Sequence, residues 1–364
     1  MDFNAFLATV SPKAIAANWT EAVSNRAPYL GATLFPARKK AGLDLAWIKG
    51  HKGVPVSLMP SAFDAKATFR DRIGVQRVET EMPFFREGFK IKEKDRQDIL
   101  RALDSNDPYA GQVIARVFDD AQNLIDAALV VGEREIMSLL FPLNGNMGIT
   151  FNANGVEYTY NYDASGTWKA TNYMALTGNA LWTATSTADP FADIQTAKDA
   201  VAAKGGTSKY ILMNSTTFRL LRTVDAIKNR YLATNGLSLG YLSDRDVANV
   251  LKDTTGLGGI IVYDKQYKME GQFADTYAAQ KFIPDGYVAV LPEGDLGNLW
   301  YGTTPEEADL MGKKNGATVS MVNTGIAITQ IIEEHPVNVN TFASEIVLPS
   351  YERMDEVALI KVTA

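Results

Sequence analysis

The sequence predicts an α+β fold with one long helix, extended strands and a unit in which strands and helices alternate. Three observations support this prediction: a charged extended segment over residues 70–92, a helical apolar repeat over 108–140, and alternating strand and helix patterns over 189–320. The first segment has no helical period, and its β-branched and aromatic residues are typical of strands. With 364 residues, 46% of them apolar, the chain can bury a substantial core in two or three compact units.

The composition excludes several classes of function. Lysine and arginine number 36 against 42 for aspartate and glutamate, so the net charge is −6, and no basic block is long enough to grip a polyanionic duplex. The chain has no cysteine, hence no disulfide, thiolate metal site or thiol nucleophile. Its start lacks a signal-peptide pattern, and no apolar run reaches the ~20 residues that span a bilayer. We expect a soluble protein made in a cytoplasm, with no membrane partner.

Residues 1–41 are predicted to form an arm with little core of its own. Two short helical pieces, Pro12–Trp19 and Trp19–Val23, are followed by a stretch with proline and glycine and then by the basic cluster Arg38-Lys39-Lys40. Because such a segment has little apolar surface, we expect it to lie against other surfaces.

Residues 42–93 are predicted to form a long hairpin or extended loop. Its rising strand is Leu43–Lys49 and its returning strand is Phe69–Val78, and the segment between them contains glycine and proline at turn and breaker positions. A connection of this size is unusual inside a compact domain, so we interpret it as functional.

A long helix is predicted to begin after Asp107, whose side chain caps the first turn ahead of Pro108. Apolar residues then recur at helical spacing: Val113, Val117, Ala121, Leu124, Ala128, Leu129, Ile136 and Leu140. Pro142 ends the pattern, and about 33 residues at 1.5 Å each would extend roughly 50 Å. Gly111 and Gly132 are its predicted bending points, because glycine is unfavourable in a helix interior.

The sequence after residue 142 predicts strands first and then alternating strands and helices. Residues 143–187 are β-rich, and Asn154-Gly155 predicts a hairpin turn between Ile149–Phe151 and Val156–Tyr162. Asp189 caps a helix that ends before Gly205. Further strands are predicted at 210–213, 260–263, 287–291, 325–332 and 357–362, and further helices at 215–224 and 243–251. This alternation indicates a compact α/β unit.

Candidate ligand-binding groups are few and scattered. The chain has two histidines, and His51 lies in a predicted loop. Glu333-Glu334-His335 resembles a metal-ligand cluster, but metal sites need three or four converging ligands, so we interpret it as a solvated strand end. Gly256-Leu257-Gly258-Gly259 precedes a strand, whereas a phosphate-binding turn follows a strand and opens a helix. No cofactor and no metal are expected.

Aromatic residues near the extended loop allow a second interpretation. Trp47, Phe84, Phe85 and Phe89 could stack on nucleic-acid bases. We favour packing against a neighbouring surface, because no basic groove surrounds them.

Six segments carry a resemblance to a known family: Glu81–Arg86, Tyr210–Phe218, Gly259–Asp264, Phe282–Val290, Pro336–Leu348 and Asp355–Lys361. Together with the order of the elements, they resemble the tailed-phage major capsid proteins of the Hong Kong 97-like fold, and in particular the lambda-type capsid protein E family. The resemblance spans essentially the whole chain. It implies an N-terminal arm (1–41), an E-loop (42–93), a spine-helix region (94–142), a P-domain (143–188 and 322–364) and an inserted A-domain (189–321).

The same resemblance implies a non-enzymatic role as a major capsid protein that self-assembles into pentamers and hexamers. The icosahedral shell would enclose phage double-stranded DNA without binding it specifically. Portal, scaffolding and decoration proteins are implied partners. Residues 1–41 are too short to serve as a built-in scaffold, so scaffolding, if needed, would come from another protein or from a removed pro-segment. The shell would be assembled in the cytoplasm of a bacterial host and become the virion capsid.

Each E-loop would lie over an adjacent subunit in such a shell. Covalent lysine–asparagine crosslinks, which some relatives form, are not expected at Lys49 or Lys52. The residues expected at intersubunit contacts are Arg38, Lys39, Lys40, Trp47, Lys49, Lys52, Arg70, Arg72, Arg77, Glu79 and Glu81.

Two alternatives stay open at this point. One is an encapsulin-like or prophage-derived nanocompartment shell, although an encapsulin would be expected to begin with a cargo-docking helix in place of an arm. The other is an enzyme that uses the α/β unit, with Asp264, Asp285 and Glu293 near strand ends as its carboxylates. Shells or capsomers would indicate a shell protein, whether a phage capsid or a nanocompartment, and a small discrete oligomer would indicate the enzyme.

Replacing Arg38, Lys39 and Lys40 with alanine is predicted to leave duplex DNA binding unchanged. A shell that held its cargo tightly would stall the incoming duplex, so contacts with DNA should be few, sequence-independent and sensitive to salt. Fluorescence anisotropy of a labelled duplex with the unassembled protein at physiological salt measures this. Submicromolar affinity that the triple variant loses would contradict the capsid interpretation and favour a nucleic-acid-binding function.

Overall fold

A computed structural model of the chain describes residues 11–23, 28–49, 76–94, 97, 109–153, 156–235, 242–268, 279–310, 317–334 and 337–364. The chain forms two compact units. The first comprises Met1–Ala46, Glu79–Arg134 and Asn298–Ser350, and the second comprises Trp47–Val78, Glu135–Gly297 and Tyr351–Ala364. The boundaries of these two units differ from those of the five segments that the resemblance implies. The division into five segments stays a prediction.

The α-helices within the described residues are α1 (Pro12–Val23), α2 (Leu30–Leu34), α3 (Tyr109–Leu140), α4 (Thr167–Asn172), α5 (Pro190–Ala203), α6 (Ser215–Leu221), α7 (Asp225–Asn235) and α8 (Asp244–Thr255). The strands are β1 (Ala37–Lys39), β2 (Asp44–Lys49), β3 (Gln76–Glu81), β4 (Phe84–Ile91), β5 (Gly148–Ala153), β6 (Val156–Asn161), β7 (Tyr173–Ala175), β8 (Ser208–Met213), β9 (Gly259–Val262), β10 (Gln266–Lys268), β11 (Ala279–Lys281), β12 (Tyr287–Pro292), β13 (Asn298–Tyr301), β14 (Ala317–Val322), β15 (Ile326–Glu334), β16 (Val337–Ser350) and β17 (Ala358–Lys361).

Strand β16 is the centre of the sheet in the first unit. It pairs antiparallel with β15 from Val337 to Ser344, with β4 from Val339 to Ile346, and with β13 from Val347 to Ser350. Strand β1 lies parallel to β13 at one end of the sheet, and β14 lies antiparallel to β15 at the other. This pairing satisfies the backbone amides and carbonyls that the sheet buries. It also joins strands from distant parts of the chain.

Helices α1 and α3 cover one face of this sheet. The core between them consists of Ile15, Trp19, Ala121, Leu124, Ile125, Val322, Ile326, Ile328 and Ala343. Burying an aliphatic side chain of this kind contributes about 1.5–3 kcal/mol. The arm helix α1 is therefore part of the core of the first unit, as expected of a segment that must lie against another surface.

Helix α3 runs unbroken for 32 residues, which confirms the predicted long helix. At 1.5 Å per residue it extends about 48 Å. The predicted cap at Asp107 lies outside the described residues. Gly132, a predicted bending point, is buried, and a Cβ there would lie 2.9 Å from Leu299 Cδ2. Close packing against β13 thus explains the glycine at this position.

The second unit contains the predicted alternation of strands and helices. Its five-stranded sheet has the order β7-β17-β12-β8-β9, with β8 parallel to β9 and β12 antiparallel to both of its neighbours. Asp189 accepts hydrogen bonds from two backbone amides of α5, as predicted. Ser243 and Asp246 form a capping box at the start of α8. The predicted hairpin is confirmed by the antiparallel pair β5–β6, and its Asn154-Gly155 turn lies outside the described residues.

Several local predictions were wrong. The two helical pieces of the arm form the single helix α1, because Ile15 and Trp19 are buried together in one core. Residues 163–187 contain helix α4 and only the short strand β7, because the Asp163 carboxylate accepts hydrogen bonds from the amides of Trp168 and Lys169 and so caps a helix. Helix α7 was not predicted at all.

Strands from the two flanks of the α/β segment were expected to share a P-domain sheet. The flanking strands β7 and β17 do pair, in parallel, but within the sheet of the second unit. In the extended loop, β2 pairs with β3, which confirms the rising strand. Strand β3 reaches Glu81, and the part of the predicted returning strand before Gln76 lies outside the described residues.

Gly88→Ala is predicted to destabilise the first unit. Gly88 lies opposite Phe342, and a Cβ there would lie 2.8 Å from the Thr341 carbonyl oxygen and overlap the Phe342 ring. Overpacking of this kind costs about 1–3 kcal/mol, which chemical denaturation would report as a lower midpoint. Gly259→Ala in β9 is the matched control, since its Cβ would meet only Tyr210, at 3.9 Å. Equal losses in both variants would contradict the packing explanation.

Candidate functional site

The arm is attached to the sheet of the first unit through strand β1. The Lys40 amide donates to the Tyr301 carbonyl at 2.8 Å, which extends the pairing of β1 with β13. Arg38 Nε donates to Asn298 Oδ1 at 2.5 Å, and Lys39 Nζ lies 2.5 Å from Glu307 Oε2. Arg38 and Lys39 therefore have partners in their own chain, although β1 is exposed along its length.

A buried glutamate of α3 holds the second arm helix. Glu133 is 2% exposed, and its Oε2 accepts a hydrogen bond from the Gly31 amide at 2.8 Å. Gly31 lies in the first turn of α2, whose N-cap residue Tyr29 provides no side-chain cap. Helix N-termini have unpaired amides and favour negative charge, so Glu133 caps α2 from another element.

The base of the extended loop is also fixed within the chain. The Met82 amide donates to the Leu43 carbonyl at 2.9 Å, next to the β2–β3 pair. Trp47 is 8% exposed and stacks on Tyr162, with ring centroids 5.6 Å apart. Trp47 is thus a packing residue of its own chain, and it offers no open face as a stacking platform for bases.

Strand β4 carries two charged pairs. Arg86 forms an ion pair with Glu306, and its guanidinium also lies 4.8 Å from the centre of the Phe84 ring. Lys90 Nζ lies 3.0 Å from Glu333 Oε2. Solvent reaches Arg86 in the first pair and both members of the second, so each pair contributes little to stability by itself.

Glu333 is part of a hydrogen-bonded cluster at the end of β15. Its carboxylate accepts hydrogen bonds from Lys90, from Asn338 at 3.1 Å and from Asn340 at 2.8 Å. These bonds, led by the one from Lys90, lower the pKa of Glu333. Within the described residues, no group of three or more acidic or histidine side chains could hold a metal ion.

The other residues expected at intersubunit contacts belong to the extended loop over residues 42–93. Lys52, Arg70 and Arg72 lie outside the described residues. Lys49 ends β2, Arg77 and Glu79 lie in β3, and Glu81 is the exposed last residue of β3. The intersubunit role of the whole set stays a prediction.

The three carboxylates considered for an enzyme have structural partners. Asp264 accepts a hydrogen bond from the first backbone amide of α6 at 2.8 Å. Asp285 lies 2.7 Å from Lys281 Nζ. Burial raises the pKa of Asp285, but its hydrogen bonds have the larger effect, so the pKa lies below its ordinary value. Glu293 is exposed and lies 3.8 Å from Lys209 Nζ. Nothing in these surroundings activates a carboxylate for acid–base chemistry.

Four glutamates are buried among the described residues, Glu133, Glu135, Glu306 and Glu345, and none of them was predicted to be so. Glu133 falls at helical spacing between Leu129 and Ile136, so the pattern could have placed it on the apolar face of α3. Glu345 is 1% exposed in β16 and precedes the apolar run Ile346-Val347-Leu348. A charged residue at an apolar position of a helix or strand was the available signal for Glu133 and Glu345.

The long helix α3 and the two larger sheets give the described residues a mixed α+β architecture. The model of the phage major capsid protein E family matches residues 11–363, and the chain belongs to this family. It is a structural protein of a phage capsid shell and not an enzyme. None of the curated protein sequences matches the chain.

Solved structures with this fold include three from phages or phage-related genes. A phage-related protein from Bordetella bronchiseptica RB50 has a TM-score of 0.53 at 14% identity, over 94% of this chain and 95% of that one. A putative capsid protein of a prophage of E. coli CFT073 has a TM-score of 0.50 at 16% identity, over 79% and 81%. The cyanophage A-1(L) capsid subunit has a TM-score of 0.50 at 14% identity, over 92% of each chain. The predicted Hong Kong 97-like fold is confirmed.

No described helix combines the length and the apolar character needed to cross a membrane.

Glu133→Ala is predicted to loosen the attachment of the arm. A hydrogen bond to a charged group contributes about 1.5–3 kcal/mol, and the alanine variant loses it. Limited proteolysis should then cleave residues 28–41 faster than in the wild type. Glu133→Gln keeps an acceptor oxygen and should be cleaved at nearly the wild-type rate. Unchanged cleavage of the alanine variant would show that Glu133 does not hold the arm.

Proposed function

We propose that the chain assembles into hexamers and pentamers of an icosahedral shell that encloses phage double-stranded DNA. The observation that supports this proposal most is the family match, which covers the arm, the extended loop, the long helix and both compact units. Identical subunits that contact each other head to tail close into rings, and rings of two sizes can close a curved shell.

The extended loop over residues 42–93 is proposed to lie on an adjacent subunit, together with the arm. The expected intersubunit residues on these segments are mostly charged, and exposed ion pairs contribute only ~0–1 kcal/mol each. A shell repeats each contact many times in a fixed geometry, so many weak contacts together give a durable particle.

The cargo and the other partners are proposed on the same basis. A net charge of −6 and the intrachain partners of Arg38 and Lys39 favour loose, non-specific contact with the enclosed DNA. A portal, a separate scaffolding protein and decoration proteins would complete the particle, and assembly would take place in the cytoplasm of a bacterial host.

Deleting residues 50–61 is predicted to leave the subunit folded but to prevent shell formation. These residues include several glycine and proline breakers, so they contribute little to an intrachain core. Sedimentation velocity should show shells or capsomers for the wild type and only slow species for the deletion variant. Circular dichroism melting should be the same for both.

A variant with a glycine–serine linker of equal length in place of residues 50–61 separates the loss of side chains from the shortening of the loop. It should fail to assemble as the deletion variant does. A wild-type chain that forms only a small discrete oligomer would overturn the proposed function. A deletion variant that melts at a much lower temperature would show that the segment belongs to the core.

A further inference from the structure

A cleft lies between helix α3 and strands β4 and β16, inside the first unit. Its volume is about 140 Å³, and its walls are apolar: Leu124, Ala128 and Val131 of α3 and Phe85 of β4. Ala127 lies exposed at its rim. Because an engineered apolar cavity of about 150 Å³ accepts benzene, this cleft is large enough for one long side chain.

A single buried carboxyl group lines the cleft among these apolar walls. Glu345 is 1% exposed and pairs in register with Phe85. Both of its carboxyl oxygens are buried and have no hydrogen-bond partner among the described residues. Burial raises the pKa of Glu345 well above its ordinary value. A buried polar group without a partner is unfavourable, so this one calls for a physical reason.

We propose that the cleft receives a lysine or arginine side chain from a second copy of the chain, whose cationic head pairs with Glu345. The methylene stem of such a side chain suits the apolar walls formed by Leu124, Ala128 and Val131, and its head supplies the hydrogen bonds that the buried carboxylate needs. This inference rests on the proposed self-assembly and names one contact that holds it together.

Charge complementarity favours a cation from outside the described part of the chain. The other charged residues that line the cleft are Arg86 and Glu87 of β4. Arg86 is already paired with Glu306, and Glu87 is exposed. The α3 residues that line the cleft are all apolar. In a shell, a second copy is the partner that every subunit meets in the same orientation.

The proposed contact links assembly to the release of a proton. Burial raises the pKa of Glu345 and so favours its protonated form in the free subunit, whereas pairing with a cation requires the carboxylate. Assembly should therefore become more favourable as the pH rises. Stability of the free subunit has the opposite sign: an unfolded chain releases this proton near pH ~4.3 while the native chain keeps it, so rising pH disfavours the folded state.

The test compares wild type, Glu345→Gln and the control Glu157→Gln by light scattering between about pH 5 and pH 8. The critical concentration for assembly of the wild type should fall as the pH rises. Glu345→Gln should need a concentration roughly ten- to hundredfold higher at the upper pH and should show little dependence on pH, because it lacks a charged partner. Glu157→Gln should behave as the wild type, since Glu157 is an exposed residue of β6 and does not line the cleft.

Denaturation of the free subunits and thiol labelling add two independent readouts. Free Glu345→Gln should be at least as stable as the wild type, whereas a purely structural glutamate would make it less stable. Because the chain has no cysteine, Ala127→Cys provides a unique thiol at the rim of the cleft. Maleimide should label it quickly in free subunits and slowly in shells.

The outcomes separate this inference from the proposed function. Wild-type shells with unchanged assembly of Glu345→Gln, or equal labelling of Ala127→Cys in shells and free subunits, would overturn the inference and leave the proposed function in place. Loss of free-subunit stability in Glu345→Gln would also overturn it, because the partner would then be in the same chain. No shells from any variant or from the wild type would overturn the proposed function itself.

Discussion

The backbone pairing of strand β16 is the constraint on which the first unit depends. A strand in the middle of a sheet must satisfy its amides and carbonyls on both sides, and β16 does so by pairing with β15 and β4 over overlapping residues and with β13 over Val347–Ser350. Through these strands it connects the extended loop, the arm strand β1 and the surface on which α3 packs. The parts with the least core of their own therefore share one rigid framework.

This framework contains several buried polar side chains. Thr329 and Ser344 have buried hydroxyls without a hydrogen-bond partner among the described residues, as the Glu345 carboxyl does. A buried unsatisfied group costs about 1–3 kcal/mol, so a subunit selected for stability alone would replace it. The second unit has an apolar core of strands and helices like that of an ordinary α/β domain.

Local signals in the sequence were enough to predict α3, α5, α6, α8 and the β5–β6 hairpin, but not α4 or α7. Asp189 and Ser243 each form a side-chain cap, and the 3.6-residue repeat of α3 is long enough to be unmistakable. The sheet of the first unit could not be derived in this way, because its strands pair across distances in sequence that no local pattern encodes. Strand β16 begins with an apolar–polar alternation over Val337–Asn340, but Glu345 then falls on the same face as Val337 and Val339 and interrupts it. The resemblance to the family predicted the fold as a whole, which periodicity could not. The pairing of the strands and the burial of the glutamates were visible only in the folded structure.

Electron cryo-microscopy of assembled particles, at a resolution that shows side chains, tests most directly whether neighbouring copies complete the first unit. We expect a closed shell in which the arm and the extended loop contact adjacent subunits and a basic side chain from a neighbour meets Glu345 between α3 and β4. A closed shell in which this cleft faces solvent in every copy would contradict the role of Glu345. Particles whose subunits meet only through the second unit would contradict the view that the first unit is built for assembly.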